Sequence, residues 1–186
     1  MMPPSEWAAV VMTMTQVDNI FDFSGWSLPQ QHQIPSGWHE WLLCPGSLTA
    51  RLKAYDPAFS LQLLQQQQTA LPAALAARWQ QAIGIKREVL LLLAGQPCVF
   101  AQSWLPLSTL LALQPLSQLG NQPLGEVIFQ QPDLQRSTIE VAYFHDGLQL
   151  AAVDDVSWPC WGRRSYFAVQ QHELLVQEVF LSTLDT

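Results

Sequence analysis

The chain has 186 residues, of which 49% are hydrophobic and 12% charged, and a formal net charge of −7. That length fits one domain, since domains typically run about 100–200 residues, and a charged fraction about half the usual one argues for a packed globule over disorder. Eight Lys and Arg in an acidic chain exclude a nucleic-acid binder and a partner of anionic membrane surfaces, both of which need clustered cations. A small anionic ligand remains open, because two or three well-placed arginines set a local field whatever the net charge.

Residues 1–36 form an irregular N-terminal extension, with prolines, glycines and glutamines between isolated aromatics and one short helix expected over 6–15. "WAAVVM" is too short for a signal peptide and no Lys or Arg precedes it. "GWHEWLL" at 37–43 reads as a short helix. In "GSLTARLKAYD" Ser47 is the expected N-cap, and Leu48, Leu52 and Tyr55 share a helical face. "AFSLQLL" alternates as an edge strand would, and the glutamines that follow read as a solvated polar turn. "LPAALAARWQQ" has helix propensity.

"IKREVLLLL" and "CVFAQSWLP", joined by "AGQP", make a hairpin. "PLSTLLAL" and "QPLGEVIF" are short helices entered through proline. "DLQRSTIEVAYFH", "WGRRSYFAVQ" and "HELLVQEVFLSTL" are strands, the last two joined by a turn at Gln170 to Glu173. Helices early, hairpins late and no βαβ rhythm predict an α+β fold with a mostly antiparallel sheet, in a single domain over 1–186. No apolar run approaches the roughly 20 residues that span a bilayer, so a cytoplasmic protein is expected.

Much familiar chemistry is missing. There is no phosphate-binding glycine loop and no nucleophile elbow. The four histidines are scattered without metal-ligand spacing, and Asp154–Asp155 reads as a solvated loop pair. The three cysteines lack a C-x-x-C and read as free thiols of a reducing compartment. No metal and no cofactor are expected.

Two charges stand out. In a strand Arg87 shares a face with Ile85, Val89, Leu91 and Leu93. Glu178 shares a face with Leu174, Val176 and Phe180, and the opposite face of that strand is also largely apolar, which predicts a central strand. Buried charges must be paired, hydrogen-bonded or neutralised. Two arrangements are open: Arg87 and Glu178 pair with each other, or both face one cavity and hold opposite ends of a small polar ligand. An arginine forks onto a carboxylate, and a glutamate accepts from a hydroxyl or moves a proton. One of Arg163 and Arg164 must also point inward, either onto buried carbonyls or Glu140 or as a second anion contact.

"WLL" then "SLTARL", "REVLLLLAGQPCVFAQSWLP" with "STL", "LGNQPLGEVIF", "RSTIEV", "WGRRSYF" and "LLVQEVFL" occur in one order over most of 41–182. In this the chain resembles the chorismate pyruvate-lyase family, the 4-hydroxybenzoate synthases of ubiquinone biosynthesis. The resemblance implies a six-stranded antiparallel sheet with covering helices and an internal ligand cavity. It implies conversion of chorismate to 4-hydroxybenzoate and pyruvate without cofactor or metal. It implies that Arg87 binds the ring carboxylate, that Glu178 lies near the aromatic hydroxyl, and that Arg87 and Glu178 are the catalytic pair. Leu48 and Leu124 would complete the substrate-binding wall, Leu48 standing where the family has a methionine. The stretch at 147–160 is longer than the family pattern. The segments around "SLTARL" and "QPLGEV" are candidate flaps, slow product release is expected, and the protein is expected to be a monomer. A ligand-sensing domain of the same fold, binding a small carboxylate without turnover, is the alternative.

Overall fold

A computed structural model of the chain describes residues 20–145, 150, 153, 156–181 and 184. The helix expected at 6–15 and part of the stretch at 147–160 lie outside these residues. In chain order come α1 (Ser36–Leu42), α2 (Leu48–Tyr55), β1 (Ser60–Ala70), α3 (Ala73–Trp79), β2 (Ile83–Leu93), β3 (Gln96–Pro106), α4 (Leu107–Ala112), α5 (Leu124–Ile128), β4 (Gln135–Arg136), β5 (Glu140–Phe144), β6 (Cys160–Val169) and β7 (His172–Phe180). Ser47 caps α2 as its sequence predicts, its hydroxyl accepting from the Ala50 N–H at 3.2 Å. Pro106 and Pro123 stand at the N-caps of α4 and α5 with extended backbone, because a proline without an N–H loses nothing there.

The strands form one antiparallel sheet in the order β1-β2-β3-β7-β6-β4, with β5 also paired to β6. It has 7 strands, not the six expected. The difference is local. β4 and β5 share one edge of β6, β4 opposite Phe167 and Ala168, β5 opposite Cys160 to Arg164. Between them Ser137 replaces a ladder partner with its hydroxyl, which accepts from the Tyr166 N–H at 2.9 Å, and the strand breaks in two.

A second correction concerns the glutamines. Gln65 to Gln68 are not a turn but part of β1, paired with Glu88 to Ile85 of β2. A bulge between Leu63 and Gln65 resets the alternation, so Gln66 and Gln68 join Leu61 and Leu63 on one face while Leu64 packs against the other. The hairpin turns are tight two-residue loops at Ala94–Gly95 and Gln170–Gln171, all four residues at positive φ, as type I′ turns require. The strand after the second turn therefore resumes at His172, inside the turn expected from sequence.

Both faces of the sheet are covered. On the front, α1 and α2 place Trp41, Leu42, Leu48 and Leu52 against Val89, Val99, Ala101 and Phe180. At the other end of the same face, the stretch from α4 to α5 packs Leu113, Leu116 and Ile128 against Leu105, Phe167 and Leu174. The back is covered by residues near Ile20 and Trp26 and by Leu75 of α3. β7 is thus buried on both sides, which is why its sequence is apolar on both.

Candidate active site

A cavity lies between the front face of the sheet and the N-termini of α2 and α5. The floor owes its depth to β3, whose front-facing Ala101 and Ser103 are small between the larger side chains of β2 and β7. Leu48 and Leu124 line the roof, and Phe167 forms part of a wall. The cavity offers about 50 Å³ to the centres of water molecules. About 10–15 Å³ on that measure holds one water, so there is room for several waters or one small ring.

Arg87 and Glu178 both line this cavity and do not bond to each other. They lie on β2 and β7, with β3 between, and Glu178 is level with Val89, two residues from Arg87. With strands 4.7–4.9 Å apart and a rise near 3.4 Å per residue, their Cα atoms stand about 12 Å apart. Of the two arrangements open from sequence, the shared cavity is the one present.

Arg87 is 3% exposed. Its Nη1 donates to Gln66 Oε1 at 2.7 Å, and its Nη2 donates to the carbonyls of Gly120 at 2.9 Å and Gln122 at 3.1 Å. All three acceptors are neutral, and burial lowers the guanidinium's pKa. Gln66 belongs to the glutamine run of β1, directly opposite Arg87. The two carbonyls belong to the segment leading into α5, where Gly120 takes a positive φ of 50°. Arg87 thus joins the sheet to the cavity roof.

Glu178 is held from the neighbouring strand. Arg163 Nε donates to Glu178 Oε2 at 2.6 Å, and Arg163 Nη1 donates to the carbonyls of Trp41 at 2.9 Å and Cys44 at 3.2 Å. Arg163 is therefore the inward member of its pair, and it satisfies buried carbonyls and Glu178. Arg164 turns to the back and pairs with Glu140 at 2.7 Å. Of the partners open from sequence, the buried carbonyls are met by the inward arginine and Glu140 is not, because alternation along β6 puts Glu140 on the back face with Arg164.

The roof halves touch across the mouth. A Cβ on Gly125 would lie 3.2 Å from Ser47 Oγ and 3.4 Å from Thr49 Oγ1, so glycine lets the two helix starts approach. Lys53 of α2 and Glu126 of α5 form an ion pair on the outside.

The back face carries a feature that sequence reading missed. Gln65, Glu88, Gln102, Gln177, Arg164 and Glu140, one from each of β1, β2, β3, β7, β6 and β5, are successive cross-strand partners. Gln102 Nε2 donates to Glu88 Oε1 at 2.8 Å, Gln177 Nε2 donates to Gln102 Oε1 at 3.0 Å, and Gln65 donates to Glu88. Each of Arg87, Glu178 and Arg163 is next in sequence to a member of this row. No periodicity of a single strand reveals it, since it exists only once the strands are in register.

Among the described residues no group of three His, Cys, Asp or Glu side chains gathers to hold a metal, and no helix is long and apolar enough to cross a membrane. The cysteines are free. Burial pushes the Cys98 thiol up to about 12 and Cys160 to about 11, far from the range of a reactive thiolate.

A two-faced antiparallel sheet with an arginine-lined hollow under short helices defines a binding or catalytic domain for small organic acids. The chain belongs to the chorismate lyase family: the family model "Chorismate lyase" matches residues 21–185. It is 43% identical over 158 residues to a probable chorismate pyruvate-lyase of Pseudoalteromonas translucida, covering 80% of this chain and 86% of that protein. It is 38% identical over 150 residues to a protein of the same description from Psychromonas ingrahamii, covering 76% and 81%. Among solved structures, it resembles the ligand-binding domain of a protein assigned to the GntR family of transcriptional regulators from Bordetella bronchiseptica, with TM-score 0.50 and 13% identity over 67% of this chain and 86% of that one. At that identity the likeness is one of fold.

Proposed function

We propose that the protein is a carbon–oxygen lyase that converts chorismate to 4-hydroxybenzoate and pyruvate. One observation carries the chemistry: the Arg87 guanidinium and the Glu178 carboxylate, on residues whose Cα atoms stand about 12 Å apart, face the same hollow with no bond between them. Chorismate carries one carboxylate on its ring and another on an enolpyruvyl ether. In the reaction the bond from ring to ether oxygen breaks, and the ring carbon bearing the hydroxyl gives up its hydrogen as a proton. The leaving enolpyruvate takes up a proton and tautomerises to pyruvate. The ring becomes aromatic, so the step is downhill.

Arg87 is the residue proposed to fork onto the ring carboxylate, exchanging neutral acceptors for an anion, which makes a stronger charge-assisted bond. That contact fixes where the ring lies. Glu178, oriented by Arg163, then lies at the far end, where the hydroxyl and ether are. It accepts from the hydroxyl and receives or relays the proton released there. Leu48 and Leu124 supply apolar roof that keeps water off the enolpyruvyl group. Each chain encloses a cavity with its own residues, so a monomer suffices for the reaction. On this reading the enzyme works in the cytoplasm, its product feeds ubiquinone synthesis, and the roofed cavity releases that product slowly.

The test is to incubate the purified protein with chorismate and follow 4-hydroxybenzoate. Arg87→Ala is expected to lower kcat/KM about 100-fold or more, the scale for truncating one side of a buried charge contact. Glu178→Gln is expected to lower kcat strongly with a smaller effect on KM. Tight binding of 4-hydroxybenzoate with no turnover by the wild-type protein would identify a sensor domain and defeat the lyase reading.

A further inference from the structure

All eight Lys and Arg of the chain fall within the described residues, and six of them pair with carboxylates. The other two are Arg87 and Arg136, which meet only neutral acceptors among the described residues. Arg87 is in the cavity wall. Arg136 is half-buried behind it.

Arg136 Nε donates to Ser165 Oγ at 3.0 Å, and its Nη1 donates to the carbonyls of Cys44 and Pro45, both at 3.0 Å. Its guanidinium lies 5.0 Å from the ring centre of Phe167, whose side chain lines the cavity. The Cys44 carbonyl also accepts from Arg163, so two guanidiniums share one acceptor. Of the two, only Arg163 is bonded to a carboxylate, that of Glu178. Burial, and then the adjacent Arg163, push Arg136 down to about 10, the mark of a cation short of negative charge. Around the cavity, three guanidiniums and one carboxylate leave two positive charges to be met. A dianion carries that many; a monoanion does not.

We infer that Arg136, acting from behind Phe167, is the counter-charge for the second carboxylate of a dianionic substrate. The inference rests on the lyase reading above. Arg136 does not touch substrate. It is a positioning residue that works through Arg163 and through the loop at 44–45, which it ties down just before Ser47 starts α2. Its charge favours chorismate, with two carboxylates, over 4-hydroxybenzoate, with one. This also gives a route for product discharge: once pyruvate departs, the remaining ligand leaves one buried positive charge unmet.

The test compares two constants in one variant. In Arg136→Met, the KM for chorismate is expected to rise about tenfold more than the Ki of 4-hydroxybenzoate, the scale of one unit charge acting at several ångströms through a partly screened interior. Arg136→Gln, which keeps a donor for the Cys44 and Pro45 carbonyls, is expected to show the same divergence and carries the comparison should the Met variant not fold. Arg136→Lys is expected to restore the wild-type ratio. If both constants rise in parallel, or neither moves, Arg136 is a loop clamp only and the inference is overturned while the lyase reading stands. No turnover of chorismate by the wild-type protein overturns both.

Discussion

Glu173 shows how much one half-buried carboxylate can tie together. It accepts from Arg78 Nε and Nη2, both at 2.8 Å, and from Trp79 Nε1 at 3.0 Å, while its backbone carbonyl accepts from Thr109 Oγ1 at 2.7 Å. β7, α3 and α4 therefore meet at one residue. The hydrogen bond from Arg78 holds the Glu173 carboxyl below the usual glutamate range. A depressed folded-state pKa means that the stabilisation is present above the ordinary value and is lost as pH falls through the folded one. Glu173→Gln should flatten the acid-side fall in stability, read as urea midpoint against pH. At neutral pH it should cost less than about 1 kcal/mol, since exposed pairs are worth little. Arg136 teaches the opposite lesson at the same scale. Its sequence context, "QRST", gives no sign of its part near the cavity, because that part comes from Cys44, Phe167 and Arg163, which are distant in the chain.

The strands that carry Arg87 and Glu178 were readable from alternation, and so were the neighbours with which each charge shares a face of its own strand, since β-branched and leucine-rich runs with tight turns leave little choice of period. What alternation could not supply was what lies between elements. The bulge in β1 shifts Gln66 onto the face of Arg87, and a serine hydroxyl splits one expected strand into β4 and β5. The contact between α2 and α5 was equally hidden. Their outer link, Lys53 with Glu126, is half-exposed and weak, yet it spans the two roof elements. If release limits turnover, Glu126→Gln should raise the steady-state rate about twofold, the size of one exposed ion pair. It should leave the rate of a first-turnover burst unchanged. Equal burst and steady rates in the wild-type protein would show that roof opening is not limiting.

For the whole molecule, binding and folding are coupled through a cavity built from both ends of the front face. At 100 times its Kd, 4-hydroxybenzoate should stabilise the protein by about 2.7 kcal/mol. For a chain of this size that corresponds to a rise in Tm of about 5–10 °C. Arg87→Ala should abolish that rise and alter the ligand-free Tm far less, because its lost partners are two carbonyls and an amide. A ligand-free Tm that drops as far as the ligand shift does would make Arg87 a structural residue. The polar row on the back face bears on a different question, how such a sheet tolerates change in length. Arg87 and Glu88, Gln177 and Glu178, and Arg163 and Arg164 are adjacent pairs split between the two faces. Inserting or deleting one residue within β2, β6 or β7 would exchange the members of a pair, sending the cavity's charge to the wrong side and breaking the row at once. Such indels are doubly penalised inside these strands, so divergence in chain length should collect in the connections between them.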